Sequence, residues 1–207
     1  ETVAWMKTQL EEAKKQGVTV IPVSHHNLLD ESTLYPEECT IENTKEVTAL
    51  LEAYGVPVYL SGHLHLQRIK KHTSNLNTPG GYGIREIVTS PLPMAPCQYS
   101  ILNWQTDGSL SYHTKKVDIA GWAQRYGEED ENLLNFDAYA DQFLVDVISK
   151  QAFKALQSAS KDIKEEMARL YADMNRDYCS GTKIDVAKIR KSEAYQYWIR
   201  YSGNDFW

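Results

Sequence analysis

The chain has only three cysteines, Cys39, Cys97 and Cys179, far apart and odd in number, with no CxxC pair. That excludes a disulfide framework or a thiolate zinc site as the organising device, and it leaves the redox compartment undecided. No apolar run approaches the roughly 20 residues that a membrane-spanning helix requires. Positive charge is not in excess either: the net charge is −6 and the pI is near 5.5. Such a balance favours solubility and argues against a nucleic-acid or anionic-membrane surface. Internal repeats, low-complexity segments and a signal peptide are all lacking. The first residue is Glu1 rather than Met, so the sequence reads as a fragment or a processed product. Its localisation is open; an upstream signal peptide would place it outside the cytoplasm.

At 207 residues the chain can bury a real core. The spacing of Val3, Met6, Leu10 and Ala13 predicts a helix over residues 2–16, with Gly17 as its stop. The segment VTVIPVS, 18–24, reads as a strand that Pro22 confines to a sheet edge or a bulge. Residues 27–42 read as a loop. Asn43 with Glu46 forms a capping-box pattern that opens a helix carrying Val47, Leu50 and Leu51, closed by Gly55. Residues 56–61 form the next strand. Strand, helix, strand with short connections predicts a right-handed parallel crossover, with ligands bound at the carboxyl ends of the strands.

The pattern then changes. REIVTSP, CQYSILNWQ and LSYHTKKVDI are strand-like segments with no helix between them, and Asp107-Gly108 marks a hairpin between the last two. They predict an antiparallel extension of the sheet, preceded by the glycine-rich loop 77–83. From about residue 120 the character is helical. One helix carries Phe136, Ala140, Phe143 and Val147; another carries Ile163, Met167, Leu170 and Met174 and ends at Gly181. A last helix lies near 185–200. Gly121 to Asn132 reads as a linker. The fold class is therefore α/β over residues 1–120, followed by a helical extension over 121–207.

Four of the six histidines fall where strands end. His25 and His26 follow the first strand; His63 and His65 follow the second, just past Gly62. Parallel topology brings both pairs to one rim of the sheet. Adjacent residues on a strand face opposite ways, so at most one of His25 and His26 easily addresses a given point, whereas His63 and His65 share a face and Gly62 lets the backbone turn tightly so that both rings reach inward. Neutral imidazole suits zinc, iron, manganese and nickel, so the convergence predicts a metal role. His72 and His113 lie outside the set and read as structural or solvent-exposed.

SHHNLL followed by SGHLHLQ resembles the last two motifs of the calcineurin-like metallophosphoesterases. In that family a His after a strand, usually in an HHP or HYP context, is followed by a strand ending in GHxH. The helix WMKTQLEEAKKQG and the strands in IREIVTSPLPMAPCQYSILNW fit as well, so the resemblance spans about residues 1–119. Asn27 stands where proline is usual. The resemblance implies that His25 and His63 bind one divalent metal and His65 its neighbour. His26 takes the non-ligand second position, behind the ligands or on the substrate side. The implied fold is part of an α/β sandwich with a mixed sheet. The implied chemistry is hydrolysis of phosphate mono- or diesters by two metals (Mn, Fe, Zn or Ni) that clamp the phosphate for in-line attack by water.

The earlier DxH, GDxxD and GNH motifs of that family are absent, and SGNDFW near the C-terminus lacks the histidine. The chain therefore reads as the C-terminal half of a metal-dependent phosphoesterase. Three imidazoles without a carboxylate offset none of the charge of two divalent ions, so this polypeptide alone is expected to bind metal weakly or not at all and not to be hydrolytic. The alternative is a non-catalytic binding or assembly module with a vestigial histidine site. Expected partners are a phosphate ester, and either the missing N-terminal half or a second copy that covers an unpaired sheet edge. The acidic stretch Asp30, Glu31, Glu37, Glu38, Glu42 reads as a solvated loop, with a place beside the substrate site as the alternative. The aromatic cluster in YQYWIRYSGNDFW has the spacing of a helix core.

Overall fold

The periodic apolar positions near the N-terminus fold as helix α1, Thr2–Gln16, and Gly17 ends it in the left-handed conformation at φ 66°. A Cβ is disfavoured there and glycine is not. The computed structural model describes residues 1–29, 39–72 and 83–201. The acidic loop 30–38 and most of the glycine-rich loop 77–83 lie outside the described residues. Two compact units divide the chain, Glu1–Thr89 and Ser90–Trp207. The sequence-based division at 120 follows composition; this division follows contacts and leaves the hairpin strands with the helices.

In the first unit, helix α2 spans Thr44–Ala53 and strand β1 spans Val58–Ser61. Asn43 occupies the N-cap position of α2, but its side chain makes no capping hydrogen bond. Gly55 closes the turn at φ 71°. Strands β2, Arg68–Lys71, and β3, Arg85–Val88, complete a three-stranded sheet in the order β1-β3-β2. Leu10, Leu28, Leu51 and Ile84 lie in the core of this unit, with Val47 and Tyr59. Fully burying a side chain such as Leu51 stabilises the unit by roughly 1.5–3 kcal/mol.

Three expectations are corrected here. Residues 18–24 do not form a full strand. They touch β1 through a single parallel bridge, Val23 with Leu60, supported by Ser24 N–H donating to Leu60 O and Leu60 N–H donating to Pro22 O, each at 3.0 Å. Pro22 has no N–H to extend that ladder. Next, REIV is not an antiparallel extension: β3 runs parallel to β1. The antiparallel partner is β2, which pairs with β3 from Arg68 opposite Val88 to Lys71 opposite Arg85. Its charged sequence, RIKK, hides it from a hydrophobicity reading. Finally, the expected sandwich is replaced by a mixed α/β architecture with small sheets, one of three strands and one of two among the described residues.

In the second unit, β4, Gln98–Trp104, and β5, Leu110–Lys116, form a separate antiparallel hairpin, turned by Gly108 at φ 81°. Helix α3, Ile119–Tyr126, and the short α4, Glu131–Leu134, occupy the segment expected to be a linker. Aspartate caps fold that segment: Asp118 accepts from Gly121 N–H at 2.9 Å and Asp130 from Asn132 N–H at 2.8 Å, satisfying donors that a helix start leaves unpaired. Helices α5, Phe136–Ala155, and α6, Lys161–Ser180, are the long expected pair, and Gly181 ends α6 in the left-handed conformation. The last helix is broken at Ser192 into α7, Val186–Lys191, and α8, Glu193–Tyr201. Tyr197, Trp198 and Tyr201 of α8 pack on the cluster around Met167 and Leu156, and the Trp198 indole donates to Met167 O at 2.9 Å.

Candidate histidine site

β1 ends at Ser61, and the chain beyond Ser61 does not continue as a strand. Leu64 N–H donates to Gly62 O at 2.7 Å, a tight turn. The left-handed backbone falls on His63 at φ 62° and His65 at φ 54°, not on Gly62. A Cβ on Gly62 would meet only His25 O at 3.9 Å, an ordinary contact. The strain therefore sits on the histidines. For a residue with a Cβ it costs of order 1–3 kcal/mol and persists where surrounding structure enforces it, often at functional sites.

This turn decides which rings meet. His63 Nδ1 lies 3.1 Å from His25 Nε2, and the two ring centroids are 5.0 Å apart. His26 joins them, with its ring 4.4 Å from that of His63 and 5.3 Å from that of His25. His63 and His65 would share a face only on an extended strand. Both residues are left-handed instead, and His65 stands exposed outside the three-ring group. The structure thus gathers His25, His26 and His63, whereas the sequence pattern singled out His25, His63 and His65. His72 lies at the end of β2, 3.8 Å from the Glu52 carboxylate, and His113 is exposed on β5.

The backbone beneath the rings is held by groups that sequence reasoning missed. Glu86, fully buried on β3, accepts from Leu28 N–H and Leu29 N–H, each at 2.6 Å. It also accepts from the Ser61 hydroxyl at 2.6 Å and, more weakly, from Asn27 Nδ2 at 3.4 Å. Every one of these contacts is a donor facing the carboxylate, so its charge is spread over hydrogen bonds despite complete burial. One acid set among Ile84, Ile87 and Val88 was the available signal. On the other side, the Tyr59 hydroxyl donates to Ser24 Oγ at 2.8 Å, and Ser24 donates in turn to His26 O. Burial pushes the Tyr59 phenol up, the Ser24 hydrogen bond lowers it, and the Glu86 charge raises it. Ser61 and Ser24 thus link the ends of β1 and of segment 18–24 to the histidine turns.

The donor set does not fit a pair of divalent metals. Among the described residues, no group of three or more His, Cys, Asp or Glu side chains stands where it could hold a metal ion. His25 and His63 face each other closely enough for a direct N–H···N hydrogen bond. Glu86 is turned away into its own hydrogen bonds. What the three rings can do as they stand is exchange protons: between two imidazole nitrogens at hydrogen-bond distance, one carries the proton and the other accepts it.

No curated protein matches the chain. The resemblance to calcineurin-like metallophosphoesterases is corrected: the family whose model matches is a different one, and its match lies in the helical segment. Over residues 118–207 the chain matches the C-terminal domain of cyclic nucleotide phosphodiesterase.

Proposed function

We propose that this chain is part of a phosphodiester-hydrolysing protein, with a cyclic nucleotide as the substrate class. In this reading residues 121–207 form its C-terminal helical module, and the histidine rim of the first unit is where the chemistry takes place. The observation that carries the reading is the match of residues 118–207 to the C-terminal domain of cyclic nucleotide phosphodiesterase.

The rim suits the reaction on chemical grounds. Hydrolysis of a phosphodiester must remove a proton from the attacking water and return one to the leaving oxygen. Imidazole is the side chain that does both near neutral pH. The His25–His63 contact at 3.1 Å keeps two imidazoles side by side, and in this reading one serves as the base and the other as the acid. In this reading His26, whose ring lies beside that of His63, donates a hydrogen bond to the phosphoryl oxygens. His65, exposed outside the three-ring group, has no step in this proposal.

A second reading is a non-catalytic assembly module. It is favoured by the large apolar side chains left exposed on α1 and the segment after it, Trp5 at 62 % and Val23 at 73 %. One assay separates the two. The purified chain is given a cyclic nucleotide and bis(p-nitrophenyl) phosphate, and turnover is compared with that of His25→Ala and His63→Ala. The enzyme reading expects each variant to lose about 10²–10⁴-fold in rate. Turnover that survives both substitutions removes the histidine rim from the reaction, and no turnover from the intact chain leaves the module reading.

A further inference from the structure

The strand register places a second polar site at the opposite rim of the first unit's sheet. His63 follows the end of β1, where Ser61 pairs with Val88. β2 runs the other way, so Lys70, Lys71 and His72 lie where β3 begins, with Lys71 opposite Arg85 and His72 N–H donating to Ile84 O at 2.8 Å. Between this end of β2 and the flank of α2 is a cavity of about 380 Å³, lined among others by Lys45, Thr48, Glu52, Lys70, Lys71 and His72. That volume lies within the roughly 300–1,000 Å³ of small-molecule sites.

Two buried atoms in the wall are unsatisfied. Thr48 is 5 % exposed, and its Oγ1 has no hydrogen-bond partner among the described residues. Glu52 Oε1 is likewise buried without one; His72 Nε2 stands 3.8 Å from it, beyond hydrogen-bond reach. A buried polar atom without a partner is costly, and native proteins rarely leave one without a reason. Lys45, Lys70 and Lys71 make no ion pair among the described residues.

These groups set opposite demands on one ligand. Lys70 and Lys71 alternate across β2, and Lys70 lies on the face that its partner Glu86 shares; its ammonium and that of Lys45 are donors only and call for an anion. The Glu52 oxygen is an acceptor and calls for a donor. Thr48 can serve either. An anion without a hydroxyl leaves Glu52 unsatisfied, inorganic phosphate must meet the lysines and Glu52 from one small body, and a cation is repelled by the lysines. A phosphate ester on a hydroxyl-bearing body meets both demands at once. We infer that this cavity binds a sugar phosphate, the phosphate against Lys45 and Lys70 and a sugar hydroxyl donating to Glu52 Oε1 beside Thr48. The inference stands on this cavity alone and does not depend on the histidine rim being catalytic.

The test is a calorimetric titration of the intact chain with ribose 5-phosphate and, separately, with inorganic phosphate. Saturable binding of ribose 5-phosphate at about 0.1–1 mM is expected, at least several-fold tighter than inorganic phosphate and weakening as salt is added. Lys45→Ala/Lys70→Ala should weaken it about tenfold or more with the fold intact. Thr48→Val should raise the Tm of the unliganded chain, because it removes an unpartnered buried hydroxyl, yet weaken sugar phosphate binding about fivefold. His63→Ala should leave binding unchanged. No saturable binding up to about 10 mM, equal affinity for the two probes, or indifference to the lysine substitutions would each overturn the inference.

Discussion

Glu86 Oε1 accepts the backbone N–H of Leu28 at 2.6 Å across a sequence separation of 58 residues. With the matching bond from Leu29 N–H to Oε2, this contact fixes the chain directly after His25 and His26 to the middle of β3. The histidine turn therefore hangs on one buried carboxylate as much as on the sheet.

Glu86→Gln tests that dependence. The amide keeps the shape but turns one acceptor into an NH₂ donor, which then faces an N–H or a hydroxyl that had been donating. Losing charge-assisted hydrogen bonds of about 1.5–3 kcal/mol each, and orphaning a buried donor, should destabilise the first unit by about 3 kcal/mol. Chemical denaturation of the two proteins checks this. Equal midpoints would mean that the network contributes nothing.

His65→Gly should act in the opposite direction. His65 is held at φ 54°, where a Cβ costs of order 1 kcal/mol and glycine does not. Its side chain is exposed, so little packing is lost. The variant should be more stable by about 0.5–1 kcal/mol, after the extra freedom of glycine in the unfolded chain is allowed for. Urea denaturation checks it, and a loss of stability would show that the imidazole has a structural contact.

Tyr197 supplies a pH-dependent readout of the last helix. Its hydroxyl donates to Glu193 Oε1 at 2.6 Å, and this bond, ahead of burial and the Glu193 charge, pushes the phenol up from 10.0 to about 12. The folded chain thus favours the protonated phenol. The stabilisation is fully present below pH 10 and is lost as the pH rises through about 12. Titrating phenolate absorbance in the folded chain should show one late tyrosine that Tyr197→Phe removes and Glu193→Gln moves back toward the ordinary range. An unchanged curve in both variants would refute the assignment.

Much of the fold was legible because it is local. The helical period of Val3, Met6 and Leu10, the glycine stops at Gly17 and Gly181, and the Asp107-Gly108 turn each act within a few residues, where propensity and backbone sterics decide. The linker expected at Gly121 to Asn132 was misread for a related reason: its polarity suggested a loop, but two aspartates sit where they cap helices. β2 was missed because an edge strand carrying Arg68, Lys70 and Lys71 has no apolar pattern to read; its pairing with β3 identifies it.

The candidate site divides the same way. The sequence by itself led to the expectation of four histidines near one rim, from parallel crossover topology; the fold brings three of the rings together. Which rings touch depended on the sign of φ at His63 and His65, and a left-handed turn outside glycine is not written in local propensity. Likewise, the apolar neighbours in IREIV hint that Glu86 is buried but do not say what it meets. Its donors come from Leu28, Leu29 and Ser61, residues that only the folded chain brings within hydrogen-bond reach. Local chemistry set the elements, and long-range register set which polar groups face each other.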